Sequence, residues 1–116
     1  MLEDEIKARG CAEVTQKHDC VLTNNPNGVF YTRDARQIRT KPKGYPDTTG
    51  WKSIVITPQM VGLKIALFVA IEWKSLKGVK SPEQKQWIKR MQDDGCLAGF
   101  AKSTEEAVAI VRRLDQ

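Results

Sequence analysis

At 116 residues the chain is the size of one compact domain, and 41% hydrophobic with 28% charged residues excludes an unstructured polymer. Nineteen basic residues against fourteen acidic ones leave a net charge of +5, which favours a polyanionic partner because each neutralised phosphate releases counterions. The longest apolar run, Ile65 to Ile71, falls far short of the ~20 residues that a membrane-spanning helix needs.

The first residues, Leu2-Glu3-Asp4-Glu5, are acidic where a secretory signal would be basic. Leu2, Ile6 and Val14 recur at helical spacing and predict a helix over residues 2–16, with Gly10 weakening its middle. Cys20 to Thr23 reads as a strand, Asn24-Asn25-Pro26-Asn27-Gly28 as a turn, and Val29 to Thr32 as a second short strand. Residues 33–50 are polar, basic and rich in Gly and Pro, which predicts a loop with at most one helical turn near Ala35-Arg36-Gln37. A strand is expected over Lys52 to Thr57, a turn over Pro58 to Gly62, and the strongest strand over Lys64 to Lys74, whose unbroken apolar middle implies burial on both faces.

Two helix starts are well marked. Ser81-Pro82-Glu83-Gln84 combines an N-cap serine, proline at the first helical position and glutamine at the third, with Trp87, Ile88 and Met91 as the apolar face and Gly95 as the stop. Cys96 to Ala101 is a strand, and Ser103-Thr104-Glu105-Glu106 is a second capping box opening a helix that buries Ala107, Ile110, Val111 and Leu114. The order α-β-β-β-β-α-β-α predicts an α/β fold. Its sheet is mixed and flanked by helices, parallel across the last β-α-β crossover and antiparallel earlier.

Cys11, Cys20 and Cys96 make an odd count without tight spacing, so no disulfide framework is implied, which suits a reducing cytosol. Cys11, His18 and Cys20 match no zinc pattern and lack a fourth ligand.

The chemistry concentrates elsewhere. Pro46-Asp47 and Glu72-Trp73-Lys74 have the form PD…ExK. Residues two apart on a strand share a face, so Glu72 and Lys74 are neighbours and Trp73 points away. Two carboxylates can hold a divalent cation that activates water against a phosphodiester, and an ammonium beside one of them can orient that water and offset developing negative charge. The bland alternatives are a turn for Asp47 and a surface ion pair for Glu72 and Lys74. Arg33, Arg36, Arg39, Lys41 and Lys43 crowd the stretch just before Asp47.

Glu3-Asp4-Glu5-Ile6, Gly44-Tyr45-Pro46-Asp47, Ile71-Glu72-Trp73-Lys74, Gly78, Ser81-Pro82-Glu83-Gln84-Lys85 and Gly95 together resemble the VRR-NUC family of the PD-(D/E)xK nuclease superfamily. The resemblance spans nearly the whole chain and implies a single nuclease domain, 1–116, with a restriction-endonuclease-like core. It implies a Mg²⁺ or Mn²⁺ site on Asp47, Glu72 and the main-chain carbonyl of Trp73, with Lys74 catalytic and Gln84 in support. Glu3, rather than Glu5, would be the helix acid that joins the metal. The family more often has apolar residues where Thr48-Thr49 stand here.

The implied activity is endonucleolytic cleavage of branched DNA such as four-way junctions, by a homodimer in bacterial or phage-infected cytoplasm. Arg33, Arg36, Arg39, Lys41 and Lys43 would bind backbone phosphates. Gln84 could equally be only the partner of Ser81 in the capping box. Trp73 and Trp87 are expected to pack, and Trp51 to contact nucleic acid. The competing reading is a non-catalytic nucleic-acid-binding module on the same fold, with Glu72 and Lys74 as an ion pair. A small transcription factor is disfavoured, since no helix-turn-helix signature is present.

Overall fold

The computed structural model describes residues 2–25, 29–31, 33–39 and 43–115, and for 29–31 and 38–39 the backbone alone. The chain divides into two compact units, residues 1–52 and 53–116.

In the first unit α1 spans Glu3–Lys17, running through Gly10 without interruption. Glu3, Asp4 and Glu5 in its first turn and Lys17 in its last complement the helix dipole. The inward stripe is rotated from the expected one. Cys11 and Val14 are half-buried, whereas Leu2 and Ile6 are exposed. Among the described residues four strands follow: β1 (Cys20–Asn24), β2 (Val29–Tyr31), β3 (Gln37–Arg39) and β4 (Thr48–Lys52).

Both pairings are antiparallel, but adjacent strands β1 and β2 do not pair. β1 takes β4, with Val21 opposite Trp51 and Thr23 opposite Thr49. β2 takes β3, with Phe30 opposite Ile38. The basic stretch therefore holds a strand at Gln37–Arg39 where a helical turn was the only regular element expected.

β4 also lies four residues earlier than expected. The apolar run Ile54-Val55-Ile56 drew the sequence reading toward 52–57, yet those side chains are exposed and no ladder includes them. What fixes β4 is close approach of two backbones. A Cβ at Gly50 would fall 1.8 Å from the Val21 carbonyl oxygen, so only glycine lets β1 and β4 close here.

In the second unit a single 3-10 turn at Pro58–Met60 leads through an extended stretch to β5 (Val69–Trp73), then α2 (Pro82–Asp93), β6 (Leu97–Ala101) and α3 (Thr104–Val111). β5 and β6 run parallel in register Val69↔Leu97 to Trp73↔Ala101, the β-α-β unit expected from the sequence. Leu97 N–H donating to Phe68 O and Lys74 N–H donating to Ala101 O extend the ladder at both ends.

The strand is shorter than the expected 64–74 and not buried on both faces: Ile65, Leu67 and Val69 are each more than 40% exposed. The core sits instead on β6. Leu97, Ala98 and Ala101 are buried with Ile88 of α2 and Ala107 of α3, and Ile110 lies over Gly99. A Leu114 contribution does not materialise, because α3 ends at Val111 and Leu114 is 64% exposed.

Among the described residues the strands thus form three two-stranded ladders, two antiparallel and one parallel, flanked by helices. This is the expected mixed α/β class, compatible with a restriction-endonuclease-like core. No described helix is long and apolar enough to cross a membrane.

Candidate active site

α2 begins where its sequence dictates. Ser81 Oγ accepts from Gln84 N–H at 3.1 Å, and Gln84 Oε1 accepts from Ser81 N–H at 3.1 Å. Pro82, with no N–H of its own, costs nothing at the first helical position. The other end of the same amide reaches β5: Gln84 Nε2 donates to Glu72 Oε1 at 2.7 Å. One amide therefore caps the helix and bonds Glu72 at the same time. The oxygen must face the Ser81 N–H and the amino group must face the carboxylate, so the two bonds fix the amide orientation together.

Glu72 is half-buried, and among the described residues Gln84 is the sole hydrogen-bond partner of its carboxylate. Trp73 points the other way and is 61% exposed, so it does not pack as expected. Lys74 follows the last strand residue, half-buried, with its backbone tied to Ala101 O at 2.9 Å. Among the described residues no ion pair within 4.0 Å involves Glu72 or Lys74. The ion pair required by the competing reading is not formed.

Asp47 stands exposed in the first unit, immediately before β4. Its backbone is held by Asn25, a residue that sequence reading saw only as part of a turn. Asn25 N–H donates to Asp47 O at 2.8 Å, and its side-chain amide donates to Thr49 Oγ1 at 2.6 Å and Pro46 O at 3.4 Å. Asn25 is 8% exposed, so these bonds satisfy a polar side chain that would otherwise be costly to bury. Pro46, Asp47 and Thr49 are thereby all held from one residue.

Glu3 opens α1 and Glu5 lies two residues further in the same turn, both exposed. Of the basic group, Arg33, Arg36 and Lys43 are exposed, and Arg36 pairs with Asp34 at 3.1 Å. Arg39 ends β3, and Lys41 falls outside the described residues. Trp51 is 8% exposed, which removes it as a stacking platform for bases, while Trp87 is 52% exposed rather than packed. Within each unit, no three described His, Cys, Asp or Glu residues gather as a metal cluster. An open hollow of about 230 Å³ against α1 and β1, lined by Cys11, Thr15 and Leu22, contains none of the candidate residues.

Set against known proteins, residues 10–105 match the family model described as the VRR-NUC domain. Asp47, Glu72, Lys74 and Gln84 fall inside that span, and Glu3 outside it. Curated proteins and solved structures give no match.

Proposed function

The chain belongs to the VRR-NUC family, a nuclease-type domain, and from that premise we propose that it is a metal-dependent endonuclease hydrolysing DNA phosphodiester bonds. The observation that carries this reading is the state of Glu72. One carboxylate oxygen is held by Gln84, and no described cation neutralises the group although Lys74 stands two residues away. A carboxylate fixed on one oxygen by an amide and carrying no ion-pair partner among the described residues leaves its other oxygen open to a cation.

The donors fit a hard cation: the carboxylates of Asp47 and Glu72 and the main-chain carbonyl of Trp73 are all oxygen ligands of the kind Mg²⁺ and Mn²⁺ take. Glu3 is a further acid for the same shell. A Mg²⁺ or Mn²⁺ held by these groups would supply Lewis-acid polarisation of a phosphoryl oxygen and a lowered pKa for a neighbouring water. Lys74 orients the attacking water and offsets the charge that develops on the phosphoryl oxygens. Gln84 holds Glu72 in one rotamer, so the carboxylate does not have to be ordered during the reaction. Arg33, Arg36, Arg39, Lys41 and Lys43 bind backbone phosphates, which gives preference for DNA shape over base sequence. The substrate we favour is branched DNA such as a four-way junction, cut by a homodimer whose two symmetry-related sites address two strands. That choice is supported by family membership.

Lys74→Ala is expected to abolish nicking of a labelled four-way junction in Mg²⁺ or Mn²⁺ while DNA binding persists. Full nicking by this variant would remove the lysine from the mechanism. Mn²⁺ should raise the melting temperature of the wild type but not of Asp47→Asn or Glu72→Gln, because only a site on the folded chain stabilises it by binding.

A further inference from the structure

The β5–α2 connection, residues 74–81, carries Lys74, Lys77 and Lys80 and no acid. It leaves the C-terminal end of the parallel ladder, the end at which open α/β sheets bind ligands. Lys102 leaves the same end from β6, since Trp73 and Ala101 are ladder partners. Three contacts hold this group in place. Lys102 Nζ donates to Leu76 O at 3.4 Å, Gly78 N–H closes a turn on Ser75 O at 3.0 Å, and the Lys80 ammonium sits 4.5 Å from the centre of the Phe100 ring. Lys77 is exposed, and among the described residues its side chain makes no hydrogen bond or ion pair. Four lysines thus leave the same end of β5 and β6 as Glu72, with Lys74 tied to the ladder and Lys80 and Lys102 held by the contacts just given.

We propose that Lys77, Lys80 and Lys102 form a phosphate-binding surface that holds the sugar–phosphate backbone of nucleic acid beside Glu72 and Lys74. This rests on the nuclease reading and extends it to a part of the chain remote in sequence from the basic stretch at 33–43. The chemistry is that of point-charge contacts. Lysine ammoniums on a fixed backbone bind phosphate oxygens without reading bases, and they set the register of the strand along the site. Held over an aromatic ring, Lys80 is positioned ahead of binding, which lowers the entropy lost when a phosphate arrives.

The test is the salt dependence of binding to a fluorescein-labelled duplex in EDTA, followed by anisotropy. Each phosphate contact contributes about 0.9 to the slope of log K against log salt. K77Q should flatten the slope by about one contact, and K77Q/K80Q/K102Q by about three. R9Q/K89Q/R112Q removes the same charge elsewhere and should keep the wild-type slope. A triple variant with the wild-type slope overturns the proposal, and so does an equal flattening in the charge-matched control. Because the Lys77 side chain has no described partner, K77Q gives a valid answer even if the triple variant unfolds. The nuclease reading is judged separately, by metal-dependent nicking. A wild type that binds DNA with the expected slope change but never nicks retains the surface and loses the enzyme. A wild type that binds no DNA loses both.

Discussion

Gln84→Ala probes the junction of fold and site, because one amide serves both. Removing it strips the Ser81 N–H of its acceptor, a loss of about 0.5–1 kcal/mol for half a capping box. It also removes the bond to the Glu72 carboxylate. Hydrogen bonds to charged groups contribute about 1.5–3 kcal/mol, and half-burial of both partners brings this one to about 1 kcal/mol. The sum is about 2 kcal/mol, or roughly 6–12 °C in melting temperature for a chain of this length. Urea unfolding followed by tryptophan fluorescence measures the total. A double-mutant cycle with Glu72→Ala isolates the second component, expected as a coupling of about 1 kcal/mol. Gln84→Glu keeps an acceptor for Ser81 but sets a carboxylate against Glu72, so it should spare the helix start and still lose the coupling. A coupling below about 0.3 kcal/mol would show that Gln84 does not hold Glu72, and the support role would fall.

Asn25→Ala should cost about 1–3 kcal/mol in urea unfolding by leaving Pro46 O and Thr49 Oγ1 without their donor; a cost below about 0.5 kcal/mol would show that these bonds do not hold the approach to Asp47. Gly50→Ala should unfold the first unit or cost at least about 3 kcal/mol, because the added methyl meets main chain rather than a movable side chain; a melting temperature near wild type would refute the close approach. Burial, and then the charge of Asp94, push the Cys96 thiol pKa up from 9.0. The folded state therefore holds that proton more tightly than the unfolded one. The resulting stability is present below the ordinary thiol range and is lost as pH rises through the raised folded value. The fall in stability above about pH 9 should shrink in Cys96→Ala when the two proteins are compared by urea unfolding across that range.

Local signals were legible and long-range ones were not. Ser81, Pro82 and Gln84 specify a helix start through bonds within four residues, and the structure shows each of them. Ser103 caps α3 as read, but the reciprocal half differs: Glu106 accepts from Lys102 N–H at 2.6 Å instead of from Ser103. The β5-α2-β6 crossover followed from element order alone. Strand partners did not, since nothing local in Cys20–Asn24 tells it to skip β2 for β4; that choice depends on Gly50 closing against Val21. Trp51, Trp73 and Trp87 were misassigned for the same reason, because burial of a tryptophan is decided by partners distant in sequence. At the candidate site, the helix-start motif was enough to single out Gln84, whose amide reaches Glu72, whereas Lys74 falls just past the end of β5. Asn25 was hidden in a run of turn residues, where its buried amide looked like any other asparagine.

Lys102 ties together segments far apart along the chain. Its amide is held by Glu106 in the first turn of α3, while its side chain bridges to the carbonyl of Leu76. Loosening the terminal helix would therefore be transmitted to the 74–80 connection before either strand opened. In hydrogen exchange, the amides of Gly78 and Lys102 should lose protection together and ahead of Lys74, whose ladder bond to Ala101 belongs to the slower core.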